Sequence, residues 1–360
     1  MVKSKCKCRR SLHPVALVFG GEGGEREISR LSAVTLAKAL DRLECDYISI
    51  FIDERGFWYL IPSGCRSVER VGAEKMIPTY PVKLSGQGCG FLAEGKIIPV
   101  SKVIPALHGD MGEDGVIQGA LRCAGISYIG ADTASGAVLM DKAYTKLLAE
   151  YLGIPTVPWF IYIDGAENWG SGKIAVTAKQ SLSLARELGY PLFVKPACSG
   201  SSIGADVAKS PTELLSAIGF AAQISKKVLI EKYIENPTEL ECAYLGGVKP
   251  LVTLPGSVVS EGGFYSYNRK YGGQGQAKVS ADADVGMEIS RLAVEYSRAL
   301  CLISGVRDIA RIDFFLLGDK LYFNEINSFP GMTEDSLYPK MLSGAGISLE
   351  DALERLICPE

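Results

Sequence analysis

IARIDFFLLGDKLYFNEINSFPGMT, residues 309–333, contains two strand-like runs, ARIDFFLL and LYFNEIN, on either side of a short Gly-Asp-Lys turn. This pattern predicts a β-hairpin. Because side chains alternate between the two faces of a strand, Arg311 and Asp313 share a face, and so do Glu325 and Asn327 on the second strand. The hairpin therefore determines which polar groups meet.

The length of the turn decides whether those two polar faces coincide. An odd-numbered loop, Gly318-Asp319-Lys320, would set Asp313 opposite Glu325 and Arg311 opposite Asn327. A two-residue Gly-Asp loop would send the two carboxylates to opposite faces of the hairpin. We expect the odd loop.

With that pairing, one face of the hairpin presents two carboxylates, an amide and a guanidinium. Carboxylates this close repel each other unless positive charge lies between them. Mg²⁺ is typically held by one or two carboxylates together with substrate phosphates. A metal site at Asp313, Glu325 and Asn327 is one interpretation; a solvated polar face on a half-buried hairpin is the other.

Composition sets broad limits on the class of protein. The 360 residues are 47% hydrophobic and 22% charged, which is ordinary for a globular protein of two or three domains. A net charge of −3 argues against nucleic-acid or anionic-membrane partners. No apolar run reaches the roughly 20 residues that span a bilayer. Ten scattered cysteines predict reduced thiols in a cytoplasmic protein.

The order of strand-like and helix-like segments predicts an α/β chain in three parts. A basic segment, residues 1–12, is expected to be disordered and is not a secretory signal, because no apolar run follows it. Residues 13–137 are predicted to form an α/β domain, opening with a strand at Val15–Gly20 and a Gly-rich turn that does not fit a dinucleotide fingerprint. Residues 138–231 and 232–360 are predicted to form the second and third domains.

Several elements are predicted inside these parts. The first domain is expected to contain a helix from about Ser29 to Leu40, strands at Asp46–Asp53 and Lys102–Leu107, and a helix at Val116–Cys123. A long helix from Ser135 is expected to carry Asp141, Lys142 and Lys146, and Ser210 to begin another helix as its N-cap.

Lys195 closes the apolar run PLFVKP and is followed by PACSGSSIG. A loop rich in Ser and Gly can surround a phosphate with backbone N–H groups and hydroxyls, although an ordinary surface turn has the same composition. No Walker A sequence is present. Glu231 ends the run VLIE, where a strand end can offer backbone groups and an acid to a purine.

Taken together, these segments resemble the D-alanine–D-alanine ligases of the ATP-grasp superfamily, over roughly residues 14–356. The matching blocks are VFGGEGGEREIS, ALHGDMGEDGVIQG, MDKAYTKLL, LFVKPACSGSSIG, VLIEKYI, FYSYNRKY, ARIDFF and NEINSFPGMTEDSLYP. The resemblance implies an ATP-grasp fold preceded by a Rossmann-like α/β domain. It also implies ATP-dependent joining of two D-alanines through an acyl phosphate, for peptidoglycan precursor synthesis in the bacterial cytoplasm, by a homodimer.

The resemblance also assigns roles to individual residues. Asp313, Glu325 and Asn327 correspond to ligands of two Mg²⁺ (or Mn²⁺) ions, with Glu325 bridging. The ATP-binding positions are Lys142, Lys195, Ser202, Glu231, Lys232, Glu239 and the flap residue Lys270. The catalytic positions around the first D-alanine and the oxyanion are Glu25, Ser201, Tyr271, Arg311 and Gly331. The substrate-binding positions are His108, Ser336 and Leu337.

Two departures from the family pattern bear on the second substrate. The flap after Tyr271 is unusually rich in glycine, and Glu334-Asp335 replaces a more usual Ser-His before Ser336. D-serine or another amine nucleophile is therefore an alternative second substrate. An ATP-binding regulatory protein without catalysis is the alternative of another class. The positions that the family uses for metal ligands, lysines and the arginine all hold the expected residues here, which counts against a protein without catalysis.

Overall fold

The computed structural model describes residues 12–72, 80–86, 89–165, 170–259 and 278–358. Three β-sheets organise these residues, each with helices packed against it. In the described part of the chain, no helix is both long and apolar enough to cross a bilayer. The predicted disordered segment falls almost wholly outside the described residues.

The first sheet has the strand order β6-β5-β4-β3-β2-β1-β7. Strand β1, next to the edge strand β7, runs parallel to β2 and β7, whereas the strands beyond β2 pair antiparallel. All of β1, with the sequence VALVFG, is buried, as expected for a strand covered on both faces. The elements are β1 (Val15–Gly20), α1 (Arg26–Arg42), β2 (Tyr47–Ile52), β3 (Trp58–Ile61), α2 (Cys65–Gly72), β4 (Tyr80–Leu84), β5 (Gly90–Ala93), β6 (Lys96–Pro99), β7 (Lys102–Ala106) and α3 (Val116–Cys123).

The second sheet has the order β11-β10-β12-β8-β9. As predicted, Ser210 caps the N-terminus of α7, where its hydroxyl accepts the amide N–H of Glu213 at 3.3 Å. The elements of this part are α4 (Thr133–Met140), α5 (Lys142–Tyr151), β8 (Trp159–Ile163), β9 (Ile174–Ala175), α6 (Ala178–Leu188), β10 (Leu192–Pro196), β11 (Asp206–Ala208), α7 (Pro211–Ala222) and β12 (Lys227–Lys232).

The third sheet has the order β16-β15-β13-β17-β18, and β14 pairs with β13 outside this path. Its elements are β13 (Thr238–Leu245), β14 (Leu251–Val252), β15 (Gly256–Val259), β16 (Lys278–Ser280), α8 (Gly286–Ile303), β17 (Ile309–Leu317), β18 (Lys320–Asn327), α9 (Leu337–Gly344) and α10 (Leu349–Ile357). One hydrophobic core joins β1 and α1 of the first sheet to β13, α9 and α10.

The predicted hairpin is present, but the prediction of its loop was wrong. Leu317 pairs with Lys320, so the loop is the two-residue Gly318-Asp319. A β-bulge then shifts the register: Phe314 faces Phe323, whereas Asp313 faces Glu325, which leaves Asn324 as the extra residue. The predicted pairing of the two carboxylates is therefore confirmed, because the bulge compensates for the shorter loop.

The predicted long helix is also interrupted. It begins at Thr133 and ends at Met140, and a second helix begins at Lys142. Asp141 between them has extended backbone, and its carboxylate accepts the amides of Ala143 and Tyr144 at 2.9 and 3.3 Å. Aspartate favours an N-cap over a helix interior because its side chain competes for backbone donors. The predictions for Val15–Gly20 and Val116–Cys123 are confirmed.

Candidate active site

The predicted site residues that the structure describes lie around one cavity of about 1130 Å³. Its wall includes side chains from α1 and from the loop after β7, from β10 and β12, and from β13, β17 and β18. A cavity shared by several elements is the usual setting for a small-molecule site.

The base of the hairpin places its polar groups on the cavity wall. Asp313 faces Glu325 across the two strands, and Arg311 faces Asn327. The Asn327 amide donates to Asp313 Oδ2 at 3.0 Å. Within the described residues, no three His, Cys, Asp or Glu side chains cluster closely enough to hold a metal ion. Two carboxylates with an amide oxygen nevertheless form the hard donor set that suits Mg²⁺.

Arg311 is held on both sides by carboxylates. It donates from Nε and a terminal nitrogen to Asp313 at 2.8 and 2.6 Å, and Nε lies 3.0 Å from Glu241 Oε2. Glu241 faces Asp313 in the β13–β17 register, so three carboxylates form a row across neighbouring strands. Although burial opposes the charge, Asp313 and Glu241 raise the pKa of Arg311 well above its ordinary value. The guanidinium is therefore permanently charged.

Two predicted phosphate-binding lysines reach the same part of the cavity from different elements. Lys142, the first residue of α5, donates from Nζ to the Ser199 carbonyl at 2.6 Å and lies 3.3 Å from Glu325. Lys195, on β10, lies 2.6 Å from Glu231 and donates to the bulged Asn324 at 3.3 Å. Two cations beside the hairpin carboxylates can bind an anionic ligand.

The predicted purine contact, Glu231, differs from expectation in one respect. Its side chain is only 4% exposed, and its carboxylate lies between the ammonium groups of Lys195 and Lys146, the latter at 2.5 Å. Burial acts to raise the pKa of Glu231, but the charges of Lys146 and Lys195 outweigh it and lower the pKa to about 2. The acid is committed to two lysines rather than being available to a ligand.

The Ser-Gly loop after β10 meets the N-terminus of α1 on the wall of the same cavity. Ser201 donates its hydroxyl to Glu25 Oε1. Ser201 and Ser202 both adopt positive φ, 49° and 59°, a conformation that non-glycine residues rarely adopt outside functional loops. A side chain at Gly109 or Gly200 would collide with the Glu25 carboxylate, so both glycines make room for it.

His108 and the loop around Gly331 that it supports lie next to the Glu25–Ser201 pair in the same cavity. Its Nε2 is 3.0 Å from Ser32 Oγ, which accepts the amide of Met332 at 3.2 Å. Burial lowers the pKa of His108 to about 4, so the ring is neutral at pH 7. Glu113 accepts the amides of Gly109 and Phe329 at 2.9 and 3.1 Å. These contacts fix the chain on either side of Gly331.

Burial and the nearby charge of Glu25 raise the pKa of Glu113 to about 7. A carboxyl group with a pKa near neutrality can exchange its proton under working conditions. Glu113 therefore differs chemically from Glu231, whose pKa is lowered.

The predicted pocket for the second substrate lies at the start of α9. Ser336 is its N-cap residue, and its hydroxyl accepts the Thr333 amide at 3.1 Å. Leu337 is buried in the core, although it also borders the cavity. The unusual acids beside them are paired on the surface: Glu334 lies 3.0 Å from Lys38, and Asp335 lies 3.5 Å from Lys340.

Other predicted residues are less directly placed. Lys232 and Glu239 border the cavity, but the Lys232 ammonium donates to the carbonyls of Gly189 and Tyr190 at 2.9 and 3.2 Å. Lys270 and Tyr271 lie outside the described residues, so the flap assignments stay predictions.

Sequence reasoning missed some residues that the structure brings to the site. The site roles of Glu113, Lys146, Glu241 and Asn324 were not predicted. Spacing offered a signal for two of them: Lys146 follows Lys142 by one helical turn, and Glu241 is on the same strand face as Glu239. Asn324 joins the site only because of the bulge, which the residue pattern does not predict.

Comparisons with known proteins agree with this geometry. Residues 14–131 match the family described as D-ala D-ala ligase N-terminus, and residues 148–358 match D-ala D-ala ligase C-terminus. A D-alanine–D-alanine ligase from Thermoanaerobacter sp. (strain X514) is 36% identical over 353 residues, covering 95% of each chain. The corresponding ligase of Deinococcus radiodurans is 35% identical, covering 95% of this chain and 97% of the relative.

Solved structures give the same result. The VanG D-Ala:D-Ser ligase from Enterococcus faecalis superposes with a TM-score of 0.84 at 30% identity, covering 96% of this chain and 99% of that one. D-alanyl-alanine synthetase A from Vibrio cholerae superposes with a TM-score of 0.82 at 28% identity, covering 96% and 97%. The fold and the site define an ADP-forming ligase of the ATP-grasp class. Within that class, the chain belongs to the D-alanine–D-alanine ligase family.

Proposed function

We propose that this protein uses ATP to join two D-alanines into D-alanyl-D-alanine for peptidoglycan precursor synthesis in the bacterial cytoplasm. The observation that carries the proposal is the lining of one cavity, which brings the lysines and the hairpin carboxylates together with the Glu25–Ser201 pair. Arg311 lines the same cavity.

The part of the cavity beside the hairpin, where two lysines lie, would bind the triphosphate of ATP. Lys142 and Lys195 would contact its phosphates, because both ammonium groups are anchored beside the hairpin and face the cavity. Asp313, Glu325 and Asn327 would hold two Mg²⁺ ions, which supply the charge needed to bring a carboxylate to a polyphosphate. Because its acid is occupied, Glu231 would contact the purine through its backbone.

The Glu25–Ser201 pair would bind the first D-alanine. Glu25, oriented by Ser201, would pair with its ammonium, leaving its carboxylate directed toward the γ-phosphate. Attack there forms an acyl phosphate and ADP. Arg311 and the amide of Gly331 would stabilise the negative oxygen that develops when the amine of the second D-alanine displaces phosphate. Ser336 and Leu337 would border the pocket for that second substrate.

D-alanine is favoured over D-serine as the second substrate. The curated relatives reported above, 36% and 35% identical to this chain, are named D-alanine–D-alanine ligase. Glu334 and Asp335 also line the cavity, but each carboxylate lies beside a lysine, which offsets its charge.

An assay of phosphate release from ATP tests the proposal. D-alanine, D-serine, D-lactate and L-alanine are supplied singly and in pairs, and the products are identified by mass. We expect D-alanyl-D-alanine to form fastest and only with Mg²⁺ or Mn²⁺ present. No turnover with any D-amino acid would contradict the function, and faster formation of the mixed D-Ala-D-Ser product would reassign the second substrate. The proposed homodimer is tested by sedimentation of the same preparation.

A further inference from the structure

Lys146 is a charged residue of the site for which the proposed reaction gives no role. It lies on α5, one turn after Lys142, and its side chain has no exposed surface. Its ammonium is 2.5 Å from Glu231 Oε1, and the other oxygen of that carboxylate is 2.6 Å from Lys195 Nζ. One buried carboxylate is therefore shared between two lysines.

The two lysines differ in what they can reach. Lys195 lies on the wall of the cavity, whereas the fully buried Lys146 cannot touch a ligand in it. Two ammonium groups against one carboxylate leave an excess of one positive charge. Lys195 is the member of the cluster through which that charge can act on a ligand.

We propose that Lys146 is a positioning residue of the nucleotide site, which acts through Glu231 to keep the charge of Lys195 available to phosphate. The inference rests on the proposed binding of the ATP phosphates at Lys195. Lys146 holds Oε1 of Glu231, so only Oε2 pairs with Lys195. Without Lys146, both oxygens turn to Lys195 and neutralise it in a compact pair.

The electrostatics of the cluster support this division of roles. Burial acts to raise the pKa of Glu231, yet the nearby lysines lower it, so the carboxylate is ionised and its charge must be balanced. Burial lowers the pKa of Lys146, and the Glu231 carboxylate opposes that shift. A buried charge that loses its partner is costly, so Glu231 would compensate by pairing more closely with Lys195.

The test compares ADP with adenosine, because only ADP carries phosphates. We expect Lys146→Met to weaken ADP binding by about tenfold, the scale of one charged hydrogen bond, and adenosine binding by less than about twofold. Both affinities are measured by isothermal titration calorimetry on protein whose folding is verified by circular dichroism. Equal losses for ADP and adenosine would show that Lys146 merely maintains the fold, and would overturn the proposal.

A second pair of variants tests the route through Glu231. In a Glu231→Gln background there is no carboxylate to neutralise Lys195, so adding Lys146→Met should change ADP affinity by less than about twofold. An undiminished loss in that background would show that Lys146 acts directly and would overturn the inference. If the single Lys146→Met variant does not fold, Glu231→Gln is compared directly with the double variant, and a tenfold loss of ADP affinity between these two proteins would overturn the inference.

Lys173→Met is the matched control. Lys173 pairs with Glu150, which is also on α5, but its side chain is half exposed. Its removal should leave ADP affinity unchanged. Failure of the wild-type protein to bind ADP would sink the proposed nucleotide site itself. If the wild type binds ADP and the Lys146→Met variant binds it equally well, only the proposed role of Lys146 is contradicted.

Discussion

At the scale of single residues, the site contains carboxyl groups whose pKa values are shifted in opposite directions by their surroundings. Glu231 is paired with lysines and has a lowered pKa, whereas Glu113 lies near Glu25 and has a raised one. Residue types alone do not reveal this difference, because it depends on neighbours that are distant in the chain. The first two predictions concern such residues.

Glu113 should make stability fall as pH rises. Its pKa is raised from the ordinary 4.5 to about 7, so between these values the folded protein keeps a proton that the unfolded chain has released. The contribution is complete below pH 4.5 and is lost as pH rises through 7. Because solvent in the cavity screens the group, we expect a change on the order of 1 to 2 kcal/mol.

The measurement is the free energy of unfolding by urea across that pH range, for the wild type and Glu113→Gln. His108 titrates with the opposite sign, since its pKa is lowered, so only the difference between the two proteins reports Glu113. Parallel profiles for the two proteins would contradict the prediction.

Glu325→Gln should abolish ligation while leaving the fold intact. The change keeps the shape of the side chain but removes a charge that faces both the proposed metal site and Lys142 at 3.3 Å. We expect kcat to fall by about a hundredfold or more, the scale seen when electrostatic stabilisation of a reaction is lost. Initial rates over a Mg²⁺ titration provide the measurement, and Glu295→Gln, in an exposed pair on α8, is the control. Near-normal turnover would show that the site is misassigned.

At the scale of elements, two irregularities position the site: the bulge in β18 and the break between α4 and α5. Before the bulge, Leu321 and Phe323 are buried in the core; after it, Glu325 and Asn327 line the cavity. In an unbroken strand all four would share one face. Because Asn324 is an extra residue, β18 presents side chains to the core before the bulge and to the cavity after it.

Deleting Asn324 should therefore be far worse than replacing it. The deletion removes the bulge, so either Glu325 turns into the core or Phe323 turns out of it. We expect activity to be lost and the urea midpoint to fall. Asn324→Ala keeps the bulge and removes only the 3.3 Å bond from Lys195, so KM for ATP should rise a few-fold. An active deletion variant would contradict this account of the register.

Asp141→Ala should loosen the start of α5 and with it Lys142. The substitution removes the cap of two backbone amides and leaves Lys227, 2.5 Å away, without this partner. Cap loss typically costs about 1 to 2 kcal/mol. We expect that loss of unfolding free energy together with a higher KM for ATP. Asp141→Asn retains the cap and should recover most of the stability; equal stability of the two variants would refute the capping role.

The sequence predicted regular elements well and irregular ones poorly. Apolar runs such as Val15–Gly20 identify strands because burial on both faces leaves a continuous hydrophobic pattern. The break at Asp141 was missed because a helical pattern continues on both sides of it. The hairpin face was predicted with the wrong loop, since nothing in the order of residues 321–327 marks Asn324 as extra. The family's sequence motifs, taken in order, identified residues that line the cavity. They did not identify which of those residues contact one another.

At the scale of the whole molecule, the first sheet is tied to the end of the chain. The core that contains β1 and α1 also contains Leu353 and Leu356 of α10, and Arg42 lies 2.9 Å from Glu350. The predicted domain boundaries at residues 137 and 231 stay predictions. A core shared this way implies that β1 depends on residues more than 300 positions later.

Leu353→Ala tests that dependence. Leu353 is 4% exposed, so truncation should lower the free energy of unfolding by about 2 to 4 kcal/mol. Because the core is common, hydrogen exchange of the β1 amides should accelerate along with that of α10, as followed by mass spectrometry. Leu302→Ala, at an exposed position on α8, is the control. Unchanged protection of β1 would show that the two regions unfold independently.

The bulge has one further consequence, which concerns the exposed tip of the hairpin. The Gly318–Asp319 tip lies beyond the point where the register is reset, with Phe314 and Phe323 packed between it and the reactive groups. Substitutions at the tip should therefore have little effect on the reactive groups at the base of the hairpin. That makes the tip the natural place to attach a reporter group, and a place where relatives can diverge without retuning their catalytic apparatus.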